Sequence, residues 1–304
     1  MIEKLNLQWV SDTIGGDYNN WKNGDIIRIE AQTATGKTEF IKTKLLKHAI
    51  ENNKRILYIC NRVNLKRQMK IDAEKQNFSL KNIQDNFELL DKLEIIGNIT
   101  ITSYQKIQHF LLNEKYGLNH NDIYTQYLDF DFIVMDEVHY IVQDSSFANK
   151  TVFFYEDYLR QYNKNCITIL ISATMDYIKE PIENIYNYME LNIRDYTTGI
   201  DYSYINAFYF KQFKDLIHTI NNDDSGNKWL VFINSMEIAK DMLEEIKDSK
   251  FICSERSKYA NQMDKEELDN IILNSQFNCK CLIATKAIDN GINIRDPLVT
   301  NVQH

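Results

Sequence analysis

Five short stretches of the chain are apolar almost without interruption: residues 25–31 (DIIRIEA), 55–60 (RILYIC), 99–104 (ITITSY), 131–137 (DFIVMDE) and 166–173 (CITILISA). They are rich in Ile and Val and do not alternate apolar with polar positions. A strand covered by helices on both faces reads this way, because neither side of it meets water. Between them the pattern turns helical. Residues 37–52 (KTEFIKTKLLKHAIEN) bring Phe40, Ile41, Leu45, Leu46 and Ala49 onto one face. Strands alternating with helices predict an α/β domain built on a parallel sheet.

After Asp176 the rhythm breaks. Residues 177–204 are rich in Tyr and Asn and read as a helix followed by a connecting segment. The alternation then resumes with 205–210 (INAFYF), 213–220 (FKDLIHTI), 229–234 (WLVFIN), 235–248 (SMEIAKDMLEEIKD) and 280–285 (KCLIAT). We expect two domains, 1–200 and 201–304, the second of them short for a complete α/β domain.

Composition narrows the class. With 304 residues, 44% of them apolar and 26% charged, the chain can bury a real core. Only 9 Gly and 2 Pro occur, so no flexible linker is written into it. The net charge of −8 withdraws the long-range basic field that would by itself announce a nucleic-acid partner, though a local groove can still be basic. Five cysteines, an odd number with several in apolar runs, suit a reducing compartment where Cys acts as a small apolar residue. The pair Cys279 and Cys281 lacks the second pair a metal site would need. No leader-like segment and no run of membrane-spanning length is present, so a soluble, cytoplasmic protein with no membrane partner is expected.

The chemistry sits at strand ends. Ala31-Gln32-Thr33-Ala34-Thr35-Gly36-Lys37-Thr38 follows the first apolar run and opens the first helical one. That is the context of a phosphate loop, G-x-x-x-x-G-K-[ST], with Ala31 at the first position in place of Gly. Successive main-chain N–H groups and a helix N-terminus make such a loop an anion cradle. Lys37 can reach the β- and γ-phosphates, and the Thr38 hydroxyl can coordinate Mg²⁺. Ala31 is tolerated if its φ stays negative.

A second strand delivers Asp136 and Glu137 at its carboxyl end, where open α/β sheets bind ligands. Phosphoryl transfer needs one carboxylate for the metal and a second group to orient the attacking water. Asp136 fits the first role and Glu137 the second. His139 follows as a candidate third catalytic residue.

Asp136-Glu137-Val138-His139 is a D-E-x-H box, and with the phosphate loop the chain resembles superfamily-two helicases and translocases. Other blocks of that family appear in order. YICNRVNLKRQ (58–68) resembles a phosphate-contacting block, with Arg62 at the contact position. ITSYQKI (101–107) resembles the next nucleic-acid block, with Thr102 and Ser103. Ser172-Ala173-Thr174 matches the S-A-T block that couples hydrolysis to movement. LVFINS (230–235), with Asn234 and Ser235, resembles the first block of the second domain. IATKAIDNGINI (283–294), with Thr285 and Gly291, resembles the later T-x₅-G block.

The resemblance implies two RecA-like domains, each a parallel sheet flanked by helices, that clamp ATP and Mg²⁺ and track along DNA or RNA. It also implies an arginine-bearing block beyond T-x₅-G. None is found before His304, so the expectation is a motor truncated before that block, its second domain incomplete. Two other readings remain open: a nucleotide-dependent binding module with little hydrolysis, and the motor portion of a larger restriction or defence assembly.

Overall fold

The computed structural model describes residues 9–32, 35–61, 63–77, 87–115, 129–143, 163–176, 178–180, 192–199, 209–254, 257–285 and 294–303. The chain divides into two compact units, Met1–Asn61 with Met69–Tyr202, and Arg62–Gln68 with Ser203–His304.

In the first unit the described strands are β1 (Asp25–Glu30), β2 (Ile56–Ile59), β3 (Ile95–Ile96), β4 (Ile99–Thr102), β5 (Phe132–Asp136), β6 (Ile167–Ser172) and β7 (Asn192–Thr197). They form one sheet in the order β3-β4-β2-β5-β6-β1-β7. Every neighbouring pair is parallel except β3 with β4. The five apolar runs are β1, β2, β4, β5 and β6. Their residues are buried throughout apart from Glu30, as strands covered on both faces must be. A core cluster joins Ile26, Leu57, Ile59, Ile133, Met135 and Leu170 from these strands to Tyr104, Ile107 and Phe110 on the helix Tyr104–Lys115.

The helix after the phosphate loop runs from Lys37 to Glu51 as Lys37–Phe40, a π-helical turn at Ile41–Leu45, and Leu46–Glu51. Phe40, Ile41, Leu45, Leu46 and Ala49 are all fully buried, the face that the spacing predicts. Lys42, on the same segment, is buried too; its ammonium reaches Asp72 at 2.7 Å and Glu39 at 3.4 Å.

Strand β7 lies within residues 177–204, which sequence reads as helix and connection. Its side chains, NIRDYT, are mostly polar and half-covered, so no apolar pattern marks it. Main-chain pairing with β1 and a two-pronged ion pair hold it instead: Arg28 Nε donates to Asp195 Oδ1 at 2.6 Å, and a second guanidinium nitrogen donates to Oδ2 at 2.7 Å.

The second unit contains β8 (Lys228–Phe232), β9 (Ser249–Ile252), β10 (Cys281–Ala284) and β11 (Val299–Gln303), all parallel, in the order β11-β8-β10-β9. Helices Phe213–Asn221, Met236–Glu245 and Lys265–Asn274 accompany them. The last begins at a proper N-cap, Asp264, whose carboxylate accepts from Glu267 N at 2.9 Å. Most of the strand expected at 205–210 lies outside the described residues, and Tyr209 and Phe210 are not in a strand. Strands β9 and β11 are short and partly exposed, which hides them from a search for apolar runs.

All five cysteines are buried, and none of them forms a disulfide. Burial raises the thiols of Cys166, Cys279 and Cys281 to about 12, so they are held as neutral apolar groups. Among the described residues no helix is long and apolar enough to cross a membrane.

Candidate functional site

Parallel pairing puts the carboxyl ends of β1, β5 and β6 side by side. Glu30 pairs with Ser172, and Asp136 with Ile171. The phosphate loop, the D-E-x-H turn and the S-A-T segment therefore leave one edge of the sheet together. This is the edge where open α/β sheets take ligands.

The loop is fixed by its main chain. Ala31 N donates to Ser172 O at 3.0 Å, which extends the β1–β6 ladder by one residue. Ala31 is buried and is not among the residues with positive φ, so the replacement of Gly there needs no unusual backbone. Thr35 Oγ1 donates to Gln32 O at 2.8 Å, and Val10 N donates to Thr35 O at 3.0 Å. Gly36 does need its freedom: its φ is 81°, in the left-handed region, and a Cβ built there would lie 3.1 Å from Trp9 Cε3. The turn at Gly36 starts the helix at Lys37. Thr33 and Ala34 lie outside the described residues.

From the loop, the Lys37 ammonium reaches Glu137 Oε1 at 2.8 Å. Glu137 Oε2 lies 3.2 Å from His139 Nδ1, and the same ring nitrogen is 2.9 Å from Ser172 Oγ. Ser172 Oγ accepts from Thr174 N at 3.0 Å, and the two hydroxyls are 3.4 Å apart. Lys37, Glu137, His139, Ser172 and Thr174 thus form one continuous polar chain. Glu137 is held in the left-handed region with φ 50°, unusual for a residue with a side chain. Val138 N donates to Ile171 O at 3.0 Å and Tyr140 N to Glu137 O at 3.0 Å, so both sides of that turn are tied down.

The two adjacent carboxylates differ in charge preference. Burial and the neighbouring Glu137 charge push Asp136 up to about 6, against the opposing pull of Lys37 and of its hydrogen bonds. Burial also pushes Glu137 up, but the contacts with His139 and Lys37 outweigh it and draw that group down to about 2. At neutral pH Glu137 is therefore firmly ionised, while Asp136 is the carboxylate whose charge is only partly compensated. A divalent cation would supply it. Thr38 and Asp136 offer a hydroxyl and a carboxylate, the hard oxygen donors that suit Mg²⁺.

Two residues at this site escape sequence reasoning. Tyr58, on β2, donates its hydroxyl to Asp136 Oδ2, and Tyr104 donates to Asp136 O at 2.9 Å. The signals are a tyrosine inside the apolar run ILYI and another closing ITITSY, since a buried phenol needs a polar partner.

The remaining candidates are scattered over both units. Thr102 closes β4; it is buried, and its hydroxyl has no hydrogen-bond partner among the described residues. Ser103 is also buried and accepts from Lys106 N at 3.3 Å at the start of the next helix. In the second unit, Asn234 is exposed and Ser235 precedes the helix Met236–Glu245. They follow β8, while Thr285 follows the adjacent β10, its N–H donating to Ile252 O at 3.1 Å. These three share the carboxyl edge of their sheet. Arg62 and Gly291 lie outside the described residues.

The family model described as DEAD/DEAH box helicase matches residues 18–181, and that of the helicase conserved C-terminal domain matches residues 210–300. No curated protein sequence matches the chain. Among solved structures, it is similar to the DEAH/RHA helicase HrpB of Escherichia coli, at 11% identity and a TM-score of 0.56 over 95% of this chain. It is also similar to the DEAD-box helicase Mss116, solved with single-stranded RNA and UDP-BeF, at 16% identity and a TM-score of 0.65 over 99% of this chain. The chain spans 36% of the first protein and 65% of the second. At these identities the likeness is one of fold.

Proposed function

The chain belongs to the DEAD/DEAH box helicase family, and we propose that it is an ATP-dependent helicase or translocase of the D-E-x-H kind, acting on DNA or RNA in the cytoplasm. In this reading residues 1–200 carry the nucleotide machinery and residues 201–304 the second helicase domain. The observation that carries it is the polar chain from Lys37 through Glu137 and His139 to Ser172 and Thr174, formed at one edge of the sheet beside a left-handed Gly36.

Main-chain N–H groups of the loop between Ala31 and Thr38 cradle the phosphates, and Lys37 binds the terminal ones. Thr38 and Asp136 hold Mg²⁺, which supplies positive charge to the phosphate oxygens when bound. Glu137, ionised at neutral pH, orients the attacking water and accepts its proton. His139 holds Glu137 against Ser172, so a change at either residue is felt by the S-A-T segment that leads out of the site. Arg62, Thr102, Ser103, Asn234, Ser235 and Thr285 take the nucleic-acid strand, mainly by its phosphates and sugars, which gives little sequence preference. Gly291 contributes to nucleotide binding from the second domain.

Titration with a fluorescent ATP analogue tests the nucleotide half of this reading. Lys37→Ala should weaken binding at least tenfold, as expected for loss of a charge-assisted contact worth about 1.5–3 kcal/mol. Equal affinity in the variant and the parent would contradict it.

A further inference from the structure

Asp136 is buried at the end of β5, and three donors converge on it. Glu137 N donates to Oδ1 at 3.0 Å, the Tyr58 hydroxyl donates to Oδ2, and the Tyr104 hydroxyl donates to the main-chain carbonyl at 2.9 Å. Tyr58 comes from β2, the strand beside β5, and is itself fully buried. Tyr104 opens the helix Tyr104–Lys115 and is fully buried as well, its ring 5.7 Å from that of Tyr140 just past the D-E-x-H turn. A buried phenol cannot reach water, so its hydroxyl must be satisfied within the protein, and both hydroxyls donate to Asp136.

These contacts restrain the carboxylate and the main chain that carries it. Tyr104 fixes where the main chain of Asp136 ends the strand. Glu137 N and Tyr58 each occupy one lone pair of one carboxylate oxygen, which sets the rotamer and leaves the other lone pairs for a cation. A carboxylate so held loses little freedom on binding a metal.

We propose that Tyr58, seconded by Tyr104, is a positioning residue for Asp136, holding that carboxylate in the orientation that receives the divalent cation of the bound nucleotide. This rests on the nucleotide-binding reading above and adds to it a second layer contributed by β2 and by the helix after β4. Partners behind a metal-holding carboxylate typically matter by about 10–100-fold in metal affinity.

Binding of a fluorescent ATP analogue, followed as Mn²⁺ is titrated into metal-free protein, tests the proposal without relying on turnover. Tyr58→Phe keeps the ring and removes only the hydroxyl. It should raise the half-saturating Mn²⁺ concentration at least tenfold while leaving nucleotide affinity in EDTA unchanged. Tyr104→Phe should move the same quantity in the same direction by a smaller factor, and serves alone if Tyr58→Phe does not fold. Tyr196→Phe, which loses a hydroxyl bonded to Asp17 and Trp21 and not to Asp136, should leave the Mn²⁺ dependence unchanged. A merely structural role for Tyr58 and Tyr104 predicts lower melting temperatures with parental Mn²⁺ dependence, and that result would overturn the proposal. If the parent shows no Mn²⁺-dependent nucleotide binding, the nucleotide reading itself falls, and the proposal with it.

Discussion

Lys37 and Glu137 are bonded to each other, ammonium to carboxylate at 2.8 Å, one from the phosphate loop and one from the D-E-x-H turn. The group proposed to bind phosphate is thus neutralised by the group proposed to activate water. An arriving nucleotide must take Lys37 from Glu137, which frees the carboxylate only when there is phosphate to attack. Glu137→Gln removes the competing charge. It should bind ATP several-fold more tightly than the parent and lose hydrolysis by about 10²–10⁴-fold, the span of a lost general base. Parallel titration and turnover measurements on the two proteins check both halves.

Gly36 should tolerate no side chain. Gly36→Ala places a Cβ on a residue with φ 81° and within 3.1 Å of Trp9 Cε3. The left-handed backbone alone costs about 1–2 kcal/mol for an L-residue. A fall of several degrees in melting temperature is expected, with weakened nucleotide binding because the loop must shift. Calorimetry and nucleotide titration read the two effects.

Asp136 makes the metal-free protein less stable at neutral pH. Its folded-state pKa is raised above the ordinary carboxylate value to about 6, so the folded state binds the extra proton between those two values. Stability from this group is highest below pH 4 and falls as pH rises through 6. Asp136→Asn removes that slope. In EDTA at pH 7.5 the variant should melt higher than the parent, while losing the gain that Mg²⁺ and nucleotide give the parent. Melting curves across pH 4–8 with both proteins test it.

Arg28 and Asp195 show the opposite sign. Asp195 sits below its ordinary value because of the Arg28 hydrogen bonds, with burial opposing. Its contribution is present above about pH 4 and disappears as pH falls below that. Asp195 is half-exposed, so the pair contributes on the scale of an exposed one, at most about 1 kcal/mol. Asp195→Asn should loosen β7 at its edge while leaving β5 and β6 unaffected. Hydrogen exchange should show faster exchange in Asn192–Thr197 with unchanged protection in Phe132–Asp136.

The parts legible in the sequence were those where chemistry and periodicity coincide. Strands β1, β2, β4, β5 and β6 are apolar on both faces, so their burial is written in composition. Lys37, Asp136, Glu137 and Ser172 stand at the ends of those strands, so the sheet's own register brings them to one edge. Strand β7 was not legible because its side chains are polar and its hold on β1 comes from main-chain pairing and from Arg28, distant in sequence. The contact of Tyr58 with Asp136 was hidden for a related reason. Local pattern reports which face is apolar, whereas neighbouring strands decide which hydroxyl meets which carboxylate.

The central claim is ATP-driven work on nucleic acid, and steady-state ATP hydrolysis with and without single-stranded RNA and single-stranded DNA tests it most directly, with Glu137→Gln as the control. Turnover should rise with one or both strands and vanish in the variant. Turnover indifferent to every strand, or equal in the variant, would contradict it.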